Sequence, residues 1–204
     1  MFVLGLTGSI GMGKSTTAAI FRKLGVEVHD SDAAVHALYQ GEAAPVIDAA
    51  FPGTVRNGVV DRGALAAQVL DDPDALKRLE ALVHPLVRES RRQFIEAAKT
   101  RGDRLVVVDI PLLYETGAES EVEAVLLVTA PESVQKQRIA ARQGMTEAKL
   151  AAIMAKQMPD EEKRRRATFI IDTSTGHADA EQQVRELLHK ILDNPEFAVA
   201  RNKG

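Results

Sequence analysis

The hydrophobic positions of this 204-residue chain fall into short unbroken runs, separated by longer stretches in which apolar residues recur every three or four positions. The runs Phe2-Val3-Leu4-Gly5-Leu6, Leu105-Val106-Val107-Val108 and Ala124-Val125-Leu126-Leu127-Val128 predict strands covered on both faces, because a strand with one wet face alternates, and Phe169-Ile170-Ile171 predicts the last strand. Val26-Glu27-Val28-His29 predicts one more, shorter strand. Helical spacing runs from Thr16 to Leu24 and stops at Gly25. A second helix is expected over Ala33–Tyr39, capped by Ser31 or Asp32 and ended by Gly41. Asp61 is placed to cap a helix through Leu65 and Val69. Asp72-Pro73 opens another, with the stripe Leu76, Leu79, Leu82 and Val83. Pro85 is expected to interrupt that helix and begin the next, which runs toward Ala97 and ends near Gly102. Further along, Pro131 starts a helix through Arg142 that Gly144 stops, and Thr146 caps one covering Leu150 and Ile153. Pro159-Asp160 opens a short charged helix. Asp179 begins the last, with Val184, Leu187, Leu188 and Ile191 on one face, Pro195 beyond its end, and a fraying tail from Ala198 to Gly204.

Five strands alternating with helices predict the α/β class: a five-stranded, mostly parallel sheet with helices on both faces. Residues 40–100 lack a strand pattern, although Asn57-Gly58 is a turn signal. That stretch reads as a helical insertion within a single domain spanning 1–204. Charge narrows the picture. With 26 Lys and Arg against 29 Asp and Glu, the net charge of −3 gives no general attraction to nucleic acid or acidic membranes. The absence of cysteine excludes disulfides, zinc–thiolate sites and thiol nucleophiles. No apolar stretch approaches the roughly 20 residues that span a bilayer, and the glycine-rich start is unlike a secretory signal. A soluble, cytoplasmic protein is expected.

The strongest chemical signal is Gly8-Ser-Ile-Gly-Met-Gly-Lys-Ser15, which fits the phosphate-loop pattern G-x-x-x-x-G-K-[ST] between a strand and a helix. Glycines let the backbone turn and bring N–H groups close to phosphate oxygens, and the following helix adds unpaired donors and partial positive charge. Gly11, Met12, Gly13, Lys14, Ser15 and Thr16 are therefore the candidate nucleotide-binding residues. Lys14 reaches the β- and γ-phosphates, and Ser15 offers a hydroxyl to Mg²⁺.

In an open α/β sheet, ligands bind at the carboxyl ends of the strands. Asp30 and Asp32 follow the second strand, and Asp109 ends the strand 105–108. Such acids suit Mg²⁺ coordination and activation of an attacking hydroxyl. Asp30-Ser31-Asp32 also suits helix capping, which needs only one of the two acids. Arg138 and Arg142 are four apart on an expected helix, hence on one face, where arginines can neutralise charge on a moving phosphoryl group. The run Lys163–Arg166 follows Glu161 and Glu162 and reads as ordinary helix pairing. The histidines are not spaced as a metal cluster.

Assembled in order, these residues resemble the dephospho-coenzyme A kinase family over nearly the whole chain. The resemblance rests on Leu4–Thr16, Asp30-Ser31-Asp32-Ala33, Asp61-Arg62-Gly63-Ala64-Leu65, Leu79-Glu80 leading to His84-Pro85, Pro111-Leu112-Leu113-Tyr114-Glu115, Arg138 with Arg142, and Gln157. Ser9 and Met12 stand where the family often has Gly and Ser, and Thr173 where it usually has Asn. The resemblance implies a phosphate-loop, nucleoside-kinase-like fold whose 40–100 insertion forms the acceptor side and whose residues 140–166 form a lid. It implies transfer of phosphate from ATP, with Mg²⁺, to the ribose 3′-hydroxyl of dephospho-CoA. Asp32 is then the candidate base and a candidate Mg²⁺ contact, with Asp30, Arg62 and His84 on the acceptor and Asp109 reaching Mg²⁺ through water. Lys14, Arg138 and Arg142 stabilise the transferring charge. A monomer acting on small molecules alone is expected. Among other classes, a shikimate kinase would carry a triple-glycine motif, and a GTPase an Asn-Lys-x-Asp guanine reader; this chain has no Gly-Gly pair, and its one Asn-Lys, Asn202-Lys203, precedes only Gly204.

Overall fold

A computed structural model describes residues 1–193, so the expectations for Pro195 and the 198–204 tail lie outside the described residues. Two compact units are present: Asp30–Ala97, and Met1–His29 together with the chain from Ala98 onward.

The first unit is built on a five-stranded sheet. The chain enters as β1 (Phe2–Thr7), passes through α1 (Lys14–Lys23) and reaches β2 (Val28–Asp30). After the second unit it returns with β5 (Leu105–Asp109), β6 (Ala124–Thr129), α6 (Glu132–Ala140), α7 (Glu147–Ala155), α8 (Asp160–Arg166), β7 (Phe169–Asp172) and α9 (His177–Asp193). Strand order is β2-β5-β1-β6-β7. β1 pairs in parallel with β5 (Leu6 opposite Asp109) and with β6, and β6 pairs in parallel with β7. β1, β5 and β6 are buried at every position, which is why their apolar runs do not alternate. Phe2, Leu4, Leu6, Leu126 and Ile171 form one core with Ile20 and Phe21 of α1 and Val184, Leu187 and Ile191 of α9.

The second unit has its own core of Leu38, Ile47, Phe51, Val60, Leu65, Val69, Leu79 and Val83. Its elements are α2 (Ser31–Tyr39), α3 (Ala44–Ala50), β3 (Val55–Arg56), β4 (Val59–Val60), α4 (Arg62–Val69) and most of α5 (Pro73–Arg101). This compact unit begins at Asp30, ten residues before the expected start of the insertion.

Three local expectations are corrected. The 40–100 stretch does contain strands: β3 and β4 form an antiparallel hairpin turned by Asn57 (φ 53°) and Gly58 (φ 77°). Positive φ at both turn residues is the hairpin geometry that Asn-Gly favours, but two-residue strands are too short to show a period. Pro85 does not divide a helix; it lies inside the 29-residue α5. Proline removes one N–H from the ladder and crowds the Ala81 carbonyl. The apolar stripe nonetheless continues across it, with Leu79 and Val83 before and Leu86 and Val87 after, all in the same core. Packing over both halves outweighs the local cost. Finally, Asp30 caps α2, accepting from the N–H groups of Asp32 and Ala33 at 3.0 Å each, so neither Ser31 nor Asp32 is the cap.

Candidate active site

The segment between β1 and α1 is shaped by glycine. A Cβ on Gly8 would stand 2.7 Å from the Val128 carbonyl oxygen, so only glycine lets the loop leave the sheet this closely. Gly13, at φ 91°, turns the chain into α1 as its N-terminal flanking residue, and no side chain among the described residues caps that helix. The N–H groups of its first turn, from Lys14, Ser15 and Thr16, are thus presented to a ligand rather than to a capping side chain.

A loop that offers N–H groups on its concave side must turn its carbonyls outward, and these find donors. The Ile10 carbonyl accepts from the Gln135 amide at 2.7 Å, the Gly11 carbonyl from Arg138 at 3.4 Å, and the Met12 carbonyl from the Thr173 hydroxyl at 2.8 Å. The Ile10 N–H donates to Gln157 Oε1 at 3.2 Å. Met12 is buried and its sulfur accepts from the Ala130 N–H, so its contribution to a ligand is through backbone alone. The glycine pattern reveals the loop but carries no signal for Gln135 or Thr173 as its supports.

Lys14 meets Asp109 at 2.6 Å. Asp109 is 2% exposed, and register beside Leu6 brings it next to the loop. Ser15 and Thr16 are exposed on the first turn of α1. Arg138 donates to the Thr173 hydroxyl at 2.8 Å and to its carbonyl at 2.6 Å. A cleft of about 290 Å³ is lined by Gly11, Gly13, Thr16, Arg138, Arg142, Thr173, Gly176 and His177. Both arginines therefore face one cleft, but not for the expected reason. α6 ends at Ala140, and Arg142 lies beyond it, its N–H on the Ile139 carbonyl at 3.0 Å. Beside the cleft, the Asp172 carboxyl is lowered: burial raises it, but hydrogen bonds from the Ser174 hydroxyl and N–H together with the charges of Arg164 and Arg138 outweigh that.

The charged run in α8 also differs from expectation. Lys163 is fully buried, its Nζ 2.9 Å from Glu115 Oε1, while Arg164 pairs with Asp160 at 2.7 Å and Arg166 with Glu119. Asp160–Arg164 and Glu162–Arg166, the latter at 4.0 Å, keep the four-residue spacing of ordinary helix pairing, whereas no Glu161–Arg165 pair forms among the described residues.

In the second unit Asp30 is occupied as the cap of α2. Asp32 is exposed in that helix's first turn, and its carboxylate has no hydrogen-bond or ion-pair partner among the described residues. Arg62 opens α4 after its capping residue Asp61, near enough to Tyr39 to lower its hydroxyl pKa, though burial pushes that group up more strongly. His84 is exposed midway along α5. The structure thus groups the loop, Lys14, Asp109, Arg138 and Arg142 in the first unit, and carries Asp32, Arg62 and His84 in the second.

The donor set can be tested against Mg²⁺. Among the described residues no three His, Cys, Asp or Glu side chains cluster as a metal cage. One hydroxyl, Ser15, and one carboxylate, Asp109, fit an ion that keeps several waters and takes its other ligands from phosphates, as Mg²⁺ does.

Comparison with known proteins identifies the family and fold to which the chain is similar. The family profile described as dephospho-CoA kinase matches residues 2–179. A dephospho-CoA kinase of Mesorhizobium japonicum is 60% identical over 191 residues, covering 94% of this chain and 97% of its own. The crystal structure of TT1252 from Thermus thermophilus superposes with a TM-score of 0.78 at 39% identity, over 93% of this chain and 97% of that one. Dephospho-CoA kinase from Campylobacter jejuni shares the fold, with a TM-score of 0.69 at 24% identity over 94% and 98% of the two chains.

Proposed function

The chain belongs to the dephospho-CoA kinase family, and on that basis we propose that it moves the γ-phosphoryl group of ATP to the ribose 3′-hydroxyl of dephospho-CoA, releasing CoA and ADP. The observation that carries this reading is a family match that runs from the glycine loop through both compact units to residue 179.

The loop N–H groups from Gly11 to Thr16 cradle the phosphates, and Lys14 leaves Asp109 to follow the β- and γ-oxygens. Ser15, and Asp109 through water, would hold Mg²⁺, which when bound would neutralise charge developing on the phosphates. Asp32, exposed and unengaged, accepts the 3′-hydroxyl proton; the freed oxygen bonds to γ-phosphorus while the bond to the β–γ bridging oxygen breaks and its electrons leave on ADP. Asp32 is also available to the metal. Asp30, already a cap, supports the acceptor by fixing the start of α2, and Arg62 and His84 contact acceptor groups. Arg138 and Arg142 stabilise the equatorial charge. We also infer that the protein works as a cytoplasmic monomer on these small molecules.

The test is ADP release with Mg·ATP and a panel of acceptors: dephospho-CoA, adenosine, shikimate and nucleoside monophosphates. Dephospho-CoA alone should give rapid turnover, and Lys14→Ala should reduce it by at least about a hundredfold while the protein stays folded. Equal turnover with shikimate, or none with dephospho-CoA, overturns the assignment.

A further inference from the structure

The fully buried lysine of α8 is at odds with its place in a run of four basic residues. Burying an ammonium carries a desolvation penalty that pairing only partly offsets, and an apolar residue of similar volume fills such a space without it. Its partner Glu115 explains where the charge acts. Glu115 Oε1 receives the Met158 N–H at 2.7 Å and stands 2.9 Å from Lys163 Nζ. The lysine contact is a close charge approach rather than an aligned hydrogen bond. The residue before Met158 is Gln157, whose Oε1 holds the Ile10 N–H of the phosphate loop at 3.2 Å. Residues 157–158, between α7 and α8, therefore form a strap: one end is fastened to a half-buried carboxylate, the other to the loop. On the loop side Ile10 is held twice, by Gln157 at its N–H and by Gln135 at its carbonyl.

We propose that Glu115 and Lys163 are positioning residues for nucleotide binding: the pair of a buried lysine and a half-buried glutamate fixes the 157–158 strap, and through Gln157 it fixes the conformation of the phosphate loop. Neither residue lines the loop cleft. They act through the strap, because a charge-assisted hydrogen bond to Met158 N–H is stronger and better oriented than a neutral one, and a cradle of N–H donors works only when each is held close to its productive geometry. The proposal rests on the reading that the loop binds Mg·ATP, but not on the identity of the acceptor.

The experiment measures the dissociation constant of a non-hydrolysable ATP analogue with Mg²⁺ by calorimetry, without acceptor, and KM for ATP and for dephospho-CoA in parallel. Glu115→Gln and Gln157→Ala should each weaken the analogue by about tenfold, and the double variant should be no weaker than the worse single, because both break one route. Lys163→Met, which removes the charge at similar volume, should weaken the analogue in the same direction as Glu115→Gln, and unchanged affinity in the folded variant would take Lys163 out of the strap. KM for dephospho-CoA should stay within about twofold throughout. Should Glu115→Gln not fold, Glu115→Asp, which withdraws the same carboxylate by one methylene, takes its place in the cycle. Unchanged analogue affinity in folded Gln157→Ala, or strictly additive losses in the double variant, overturns the strap. Wild-type analogue binding without phosphorylation of dephospho-CoA would instead overturn only the acceptor assignment.

Discussion

Arg138 and Thr173 are joined by two hydrogen bonds, from the guanidinium to the threonine hydroxyl at 2.8 Å and to its carbonyl at 2.6 Å. The same hydroxyl donates to the Met12 carbonyl at 2.8 Å. One oxygen at the end of β7 thus ties a cationic side chain of α6 to the phosphate loop. Both acceptors on Thr173 are neutral, so neither cancels the arginine's charge.

Thr173→Val removes that oxygen while keeping the shape. The buried Met12 carbonyl loses its donor and Arg138 loses an acceptor, so stability should fall by about 1–3 kcal/mol and KM for ATP should rise. Thr173→Ser, which keeps the hydroxyl, should stay near wild type. Urea unfolding and steady-state kinetics on the three proteins read both effects; equal behaviour of the valine and serine variants would remove the hydroxyl from this role.

Asp30 and Asp32 should separate cleanly. Asp30→Ala removes the cap of α2 and should cost about 1 kcal/mol of stability. Asp32→Asn removes no hydrogen bond or ion pair among the described residues and should cost at most a few tenths of a kcal/mol, the part its charge contributes at the start of α2. As the proposed base, however, it should slow single-turnover phosphoryl transfer by about 10²–10⁴-fold. Unaltered transfer in Asp32→Asn takes the base role away from it.

Pro85→Ala restores a backbone N–H inside α5 and removes the ring from the Ala81 carbonyl. An interior proline costs about 3 kcal/mol, offset by roughly 0.4–1 kcal/mol that it gains by stiffening the unfolded chain. The variant should therefore be more stable by about 2 kcal/mol. A lower urea midpoint would mean that the core on either side is built around a kink.

Glu181 sits between Lys23 (2.7 Å) and Arg185 (2.6 Å), bridging α9 to α1. Hydrogen bonds from Lys23 and Arg185 hold its carboxyl down from 4.5 to about 2. A carboxyl lowered on folding contributes stability above its unfolded pKa and loses it as pH falls through the folded one. The difference in melting temperature between wild type and Glu181→Gln should accordingly be present at about pH 6, shrink between about pH 4.5 and 2, and vanish below that. A constant difference across that window would show that the bridge does not form.

Features determined by neighbours along the chain are legible in the sequence alone. The glycine loop, its flanking strand and helix, the caps Asp61 and Thr146 and the helix start at Asp72-Pro73 each depend on a few consecutive residues, and each is present. Asn57-Gly58 is legible as a turn, but two-residue strands give no period to reveal a hairpin. Arg142 leaves the helix that spacing assigns to it, yet reaches the same cleft as Arg138.

The sequence by itself determined the parallel α/β layering and the phosphate-gripping loop, because unbroken apolar runs and closely spaced glycines act over a turn or a strand. Only the tertiary structure decided which charges are buried and which are left open: that Lys163 turns inward to Glu115, that Asp30 rather than Asp32 is spent on a helix, and that Pro85 stays within one. Those outcomes turn on packing and on partners distant along the chain, where a favourable contact outweighs a local preference that composition and spacing can read.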